Sequence, residues 1–162
     1  LIELAIENNI NFDFFTYYFG QNNMREIYRR LPQNLSILDA EKQLDELLRA
    51  KKFICYGAGV NFATVINQFK ELGLRAPDVI WDIQAEKIGH AEGGTQAQHL
   101  VYPLCYPDFE SLQSEEDTGM VITITNTSIN KELLATMQTY GFKNVLPYHR
   151  LALALMAKQA KR

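Results

Sequence analysis

The chain has 162 residues, 47% of them apolar, which is enough for one cored domain plus an appendage. Its 16 Lys and Arg nearly balance 19 Asp and Glu, and no basic block stands in mid-chain, so general nucleic-acid binding is not expected. No apolar run is long enough to cross a bilayer, and Cys55 and Cys105 lack any C-x-x-C or Cys/His metal spacing.

Both cysteines sit in apolar segments and read as buried thiols of a reducing, cytoplasmic compartment, with no metal. No secretory signal is visible. The chain begins at Leu1 rather than Met, as a piece of a longer protein would, so that absence carries little weight.

The first fifty residues read as helices. Asn11 to Phe19 is dense in aromatics (Phe12, Phe14, Phe15, Tyr17, Tyr18 and Phe19), which either cover one side of a core or dock a second subunit or domain. Gly20 and Asn22-Asn23 break the pattern, and Met24 to Leu31 forms another helical piece before Pro32. Ser36 and Asp39 resemble a capping box, followed by Ala40, Leu44, Leu47 and Leu48 on one face of a helix over Ile37–Ala50.

From there strands and helices alternate. Phe53–Tyr56 is a strand that runs into Gly57-Ala58-Gly59, and Val60–Leu72 is a helix stopped by Gly73. Val79–Asp82 is the second strand, followed by a long loop from Gln84 to His99 and a short strand near Leu100–Tyr102. Pro107–Leu112 suggests a short helix and Ser114–Gly119 an acidic loop. Met120–Thr125 is a β-branched strand, Ile129–Tyr140 a helix capped by Ser128 or Asn126 and stopped by Gly141. Asn144–Pro147 and a helix over Leu151–Ala160 close the chain, and Lys158, Lys161 and Arg162 read as a solvated, frayed end.

This alternation implies an α/β, Rossmann-like three-layer domain with a mainly parallel sheet of about five strands, plus the N-terminal helical segment. The expected organisation is a helical segment over 1–50, a nucleotide-binding domain over 51–149 and a C-terminal helix over 150–162.

Candidate ligand-binding residues follow from the rule that such sheets bind ligands beyond their strands' carboxyl ends. Gly57, Ala58 and Gly59, with Val60 and Asn61 opening the helix, would place free N–H groups before a phosphate. Asp82, a little over twenty residues after Gly59, suits a carboxylate accepting from a ribose diol, or else capping the next loop. Phe62 stands where a third glycine is usual, and would widen the helix–strand contact or turn its ring toward the pyrophosphate. Thr125 and Asn126, with Thr127 and Ser128, either contact sugar or phosphate or, the favoured role, cap the next helix. His90 and His99, with Glu92, read as a solvated loop and His149 as structural; no pattern marks a nucleophile or a catalytic carboxylate pair.

The order of the Gly57-Ala58-Gly59 turn, Asp82, Lys87-x-Gly89, Gly94, Val101, Pro103, the Val121–Thr125 strand and Gly141-Phe142-x-Asn144-Val145 resembles a known group of domains. These are the small Rossmann-like domains of bacterial sugar-modifying and surface-polysaccharide proteins. They include the N-terminal domains of sugar acyltransferases and of nucleotide-sugar epimerase/dehydratases, and domains accompanying some methyltransferases and glycosyltransferases. The resemblance spans about Lys51 to His149 and implies an accessory domain binding a nucleotide or nucleotide-sugar beside a separate catalytic domain. NAD(P) is the other cofactor expected, S-adenosylmethionine less so. The alternatives are an NAD(P)-dependent oxidoreductase, a methyltransferase, or a docking module with a degenerate pocket.

Overall fold

A computed structural model describes residues 35–89, 102–111 and 117–162. The aromatic stretch 11–19, the helical piece 24–31, His90, Glu92 and His99 lie outside the described residues. The elements are α1 (Leu35–Arg49), β1 (Lys52–Tyr56), α2 (Val60–Leu72), β2 (Val79–Trp81), α3 (Ala85–Gly89), β3 (Leu104–Cys105), β4 (Thr118–Ile122), α4 (Thr127–Thr139), β5 (Asn144–Leu146) and α5 (Tyr148–Ala160). The five strands form one all-parallel sheet in the order β3-β2-β1-β4-β5. The expected three-layer Rossmann-like fold is the one that forms.

Strand residues alternate between two buried faces, which is why these strands carry consecutive apolar residues, as in Phe53–Tyr56 and Met120–Ile122, rather than apolar residues at every second position. Phe53, Cys55, Ile80, Val121 and Leu146 share one core with Ala40, Leu44 and Leu47 of α1, Phe62, Val65, Ile66 and Phe69 of α2, and Leu151 and Leu155 of α5. Phe53 and Phe69 stack there with ring centroids 6.0 Å apart. Ile54, Tyr56, Trp81, Met120 and Ile122 face the other way, against Met137, Leu133 and Leu134 of α4. Beyond α4, the same face is closed by Phe109, whose ring stacks on Tyr140 at 5.2 Å and meets Trp81 edge-on at 5.2 Å. Phe109 also lies against Tyr56 and Phe142, so a single turn residue organises four other aromatics.

Helices α1 and α5, read from sequence as flanking segments, lie on the sheet. Lys158 pairs with Asp45 at 2.6 Å and Lys161 with Glu41 at 2.5 Å, joining the two helices. Arg150 donates to Gln43, and Gln43 donates in turn to the Val145 carbonyl. At the other end of α1, Arg75 donates to the carbonyls of Leu48 and Ala50 and pairs with Asp78. Asp78 also accepts from the Phe53 N–H at 2.8 Å, so one guanidinium and one carboxylate join the end of α1 to β1. The basic tail is therefore not a frayed end: Lys158 and Lys161 are paired, and the Arg162 guanidinium donates to the Glu71 carbonyl at the end of α2.

Several boundaries differ from the sequence reading. Ser36 lies inside α1, which begins at Leu35, and α5 begins at Tyr148 behind Pro147 rather than at Leu151. The third strand described is Leu104–Cys105; residues 100 and 101 of the strand expected near Leu100–Tyr102 lie outside the described residues. Pro103, which has no N–H to give, starts the pairing as an acceptor from Ile80 at 2.8 Å. Pro107–Ser111 is not a helix: Asp108 accepts from the Ser111 N–H at 3.1 Å and closes a turn. A five-residue helix, α3, occupies part of the expected loop after Gln84.

β4 starts at Thr118 and ends at Ile122, so Gly119 is a strand residue and Thr123–Thr125 is not. Glycine is needed at 119 because a Cβ there would lie 2.7 Å from both the Cγ and the carbonyl oxygen of Leu47. No helix among the described residues is long and apolar enough to cross a membrane. Gly119→Ala must push α1 off β4, so urea denaturation should show a loss of about 1–3 kcal/mol. An unchanged midpoint would mean that α1 does not rest there.

Candidate functional site

The strand order fixes where a crevice can open. From β1 the chain passes through α2 to β2 and β3 on one side, then returns to β4 on the other side of β1. The loops after β1 and β4 therefore diverge beyond the carboxyl ends of the strands.

Gly57 makes the turn out of β1 at φ +104°, with its N–H on the Trp81 carbonyl at 2.8 Å. A Cβ there would meet Thr123 Oγ1 at 2.8 Å and Ile124 Cγ1 at 2.9 Å. Just past the end of β4, the Thr123 N–H still donates to the Tyr56 carbonyl at 2.9 Å, and its hydroxyl donates to the Gly57 carbonyl at 2.7 Å. Gly57 is thus glycine for reasons internal to the protein.

Gly59 is different. Its φ of −79° suits any residue, and a Cβ placed on it would meet nothing within 4 Å. It occupies the N-cap of α2 without a side chain to cap it. Among the described residues neither backbone conformation nor packing asks for glycine at this position.

Asp82 joins the two turns. Its Oδ2 accepts from the Ala58 N–H at 2.8 Å, and its Oδ1 accepts from the Gln84 N–H at 2.7 Å. Its own N–H donates to the Cys105 carbonyl at 3.1 Å. Each carboxylate oxygen has a further acceptor site, so a half-buried Asp82 can still take hydroxyl donors. Beside it, the Tyr56 phenol is held above its ordinary pKa by burial, then by the Asp82 charge and by Tyr106.

The remaining sequence candidates fall into two groups. Val60 is exposed and Asn61 half-buried at the opening of α2, next to Gly59. Phe62 is fully buried, with its ring edge-on to Tyr102 at 6.3 Å, so it points into the core and not across the crevice. Ala58 is buried and offers only its backbone. Thr125 is half-buried, and Asn126 caps α4 by accepting from the Ile129 N–H at 3.1 Å.

Asn130 escaped the sequence reading. Buried in α4, it donates to the carbonyls of Ile124 at 2.5 Å and Asn126 at 2.8 Å, and accepts from the Tyr148 N–H at 3.5 Å. One side chain thereby shapes the loop after β4 and the start of α5. The available signal was an asparagine four residues after a capping asparagine, on a face that is otherwise core. His149 is half-buried, with its pKa lowered by burial and then by Arg150.

No protein-family model matches the chain, and neither does a curated protein or a solved structure.

The thiols differ, contrary to the reading of both as buried. Cys55 is buried in the first core, with its pKa pushed up to about 12 by desolvation. Cys105 is exposed, on β3 at the edge of the described sheet. Its pKa is also raised, chiefly by desolvation. Because the thiolate is the reactive form, a disulfide reagent should titrate Cys105 alone in the native chain, faster as pH rises, and Cys55 only after denaturation. Two thiols reacting together in the native state would contradict the burial of Cys55.

Proposed function

We propose that this chain is an accessory nucleotide-binding domain whose ligand lies across the carboxyl ends of β1, β2 and β4. Phosphate would sit over Gly59, before the first N–H groups of α2, and the ribose hydroxyls would donate to Asp82. The observation that carries this reading is Gly59 itself, a glycine that nothing among the described residues requires, at the N-cap of a helix with no side-chain cap. Asp82 supports it, because its bonds to Ala58 and Gln84 hold the ribose acceptor at a fixed place relative to that N-cap. The burial of Phe62 removes the obstacle that a ring in the glycine position would otherwise pose.

The parent protein we propose is a bacterial carbohydrate-modifying or surface-polysaccharide enzyme, on the order of motifs from Gly57 to Val145. The domain's part there is to hold a nucleotide while chemistry takes place on a neighbouring domain.

Thermal-shift titration against NAD, NADP, S-adenosylmethionine, CoA and nucleotide-sugars tests this. A ligand at a hundredfold excess over its Kd adds ~2.7 kcal/mol to stability. At least one of the nucleotides should raise the midpoint. Gly59→Asp should weaken that ligand at least tenfold by placing a carboxylate against its phosphate, while changing the stability of the free chain by no more than about 1 kcal/mol. Undiminished binding to the variant would remove the phosphate from Gly59.

A further inference from the structure

The amino ends of the strands, at the edge opposite Gly59 and Asp82, hold two polar groups that nothing among the described residues satisfies. Thr118 opens β4 at 6% exposure, and its hydroxyl has no hydrogen-bond partner. A buried hydroxyl left alone is costly, and nearly all such groups in folded proteins find a partner. Lys52 opens β1 and is the register partner of Thr118. It is half-buried, and no carboxylate among the described residues pairs with it.

Register puts these two side chains next to each other. Partners in a parallel ladder project to the same face, from strands about 4.8 Å apart. Thr118 falls in step with Met120 and Ile122, and Lys52 with Ile54 and Tyr56, all on the face covered by α4. The Lys52 charge is felt on that face at Cys105, the partner of Trp81: burial raises the thiol pKa, and the ammonium opposes it. An exposed Lys143 stands one residue before Asn144, the partner of Gly119, and adds positive potential at the rim.

The neighbouring carboxylates do not fill the place. Asp78 pairs with Arg75 and accepts from the Phe53 N–H. Asp117 is exposed, and its bond to Lys52 is made by the backbone carbonyl, which accepts from the Lys52 N–H at 3.2 Å. A direct bond from the Lys52 ammonium to the Thr118 hydroxyl would also satisfy both groups, and the structure holds none.

Two donors thus stand together without an acceptor, one of them charged. A carboxylate supplies what is missing: two acceptor oxygens and a single negative charge. A phosphate brings more charge and more oxygens than these two donors answer. We propose that the amino ends of β1 and β4 form a carboxylate-binding site, in which Lys52 and the Thr118 hydroxyl each hold one oxygen. The site lies apart from the crevice at Gly59 and does not rest on the nucleotide reading. Entry requires one side chain to move, because the hydroxyl is closed to solvent. Lys52 is suited to that, with a flexible four-carbon stem and no partner on its ammonium.

The test follows amide resonances of the isotope-labelled full chain during titration with sodium acetate at constant ionic strength. Lys52, Thr118 and Gly119 should shift along saturable curves, and acetamide, the uncharged analogue, should move none of them. Lys52→Gln and Thr118→Val should each weaken acetate at least fivefold, and Thr118→Ser, which keeps the hydroxyl, less than twofold. Thr118→Val should leave the free chain at least as stable in urea, because no bond is lost. A blocked peptide with a single glutamate that binds at least tenfold more tightly than acetate assigns the site to a protein side chain. Weaker binding of that peptide assigns it to a free carboxylic acid. Inorganic phosphate bound more tightly than acetate, no saturable shift at these amides, or a lower urea midpoint for Thr118→Val overturns the proposal.

Discussion

The Asp82 carboxylate accepts one N–H from the turn after β1 and another from the turn after β2, and both turns take their shape from it. A carboxylate between two backbone donors forms charge-assisted bonds, stronger than the neutral bonds of the ladder beside it. The Gly57 turn is held a second time from β4, where the Thr123 hydroxyl reaches the Gly57 carbonyl. Three successive strand ends are thus fixed relative to one another by two side chains.

The sheet that carries these turns is covered unequally. Its first face has α1, α2 and α5 packed into one core, and α1 and α5 are further joined by lysine–carboxylate pairs. Exposed ion pairs add little, but Glu41 is nearly buried between Lys158 and Lys161, where screening by water is weaker. The second face relies on α4 and an aromatic cluster around Phe109.

How much of this the sequence made legible depends on how local each cause is. β1 begins one residue earlier than read, α2 matches to the residue, and Gly73 ends it in the left-handed conformation as expected, because strand burial, helical periodicity and a C-terminal glycine act within a few residues. Asp82 caps the loop after β2, the second of the two roles its position allowed, and its other partner, Ala58, lies in the glycine turn. The strand at Leu104–Cys105 was not legible because two residues carry no periodicity, and their strand character comes from pairing with Ile80 and Trp81. Gly119 was taken for loop because its reason for being glycine, the carbonyl and side chain of Leu47, lies seventy-two residues earlier in the chain. Phe62 was read as an intruder in a glycine motif. The core took the ring instead, since burying a phenylalanine gains roughly 1.5–3 kcal/mol and the crevice offers it nothing comparable.

The central claim is that a nucleotide lies over Gly59, against the opening of α2 and beside Asp82. Following backbone amide resonances of the isotope-labelled chain during titration with NADH tests it directly. The account predicts that the largest shifts fall on Gly59, Val60, Asn61 and Gln84, with the amides of Lys52, Asp78 and Asn144 at the opposite edge unmoved. Shifts centred on that opposite edge, or none anywhere, would contradict it.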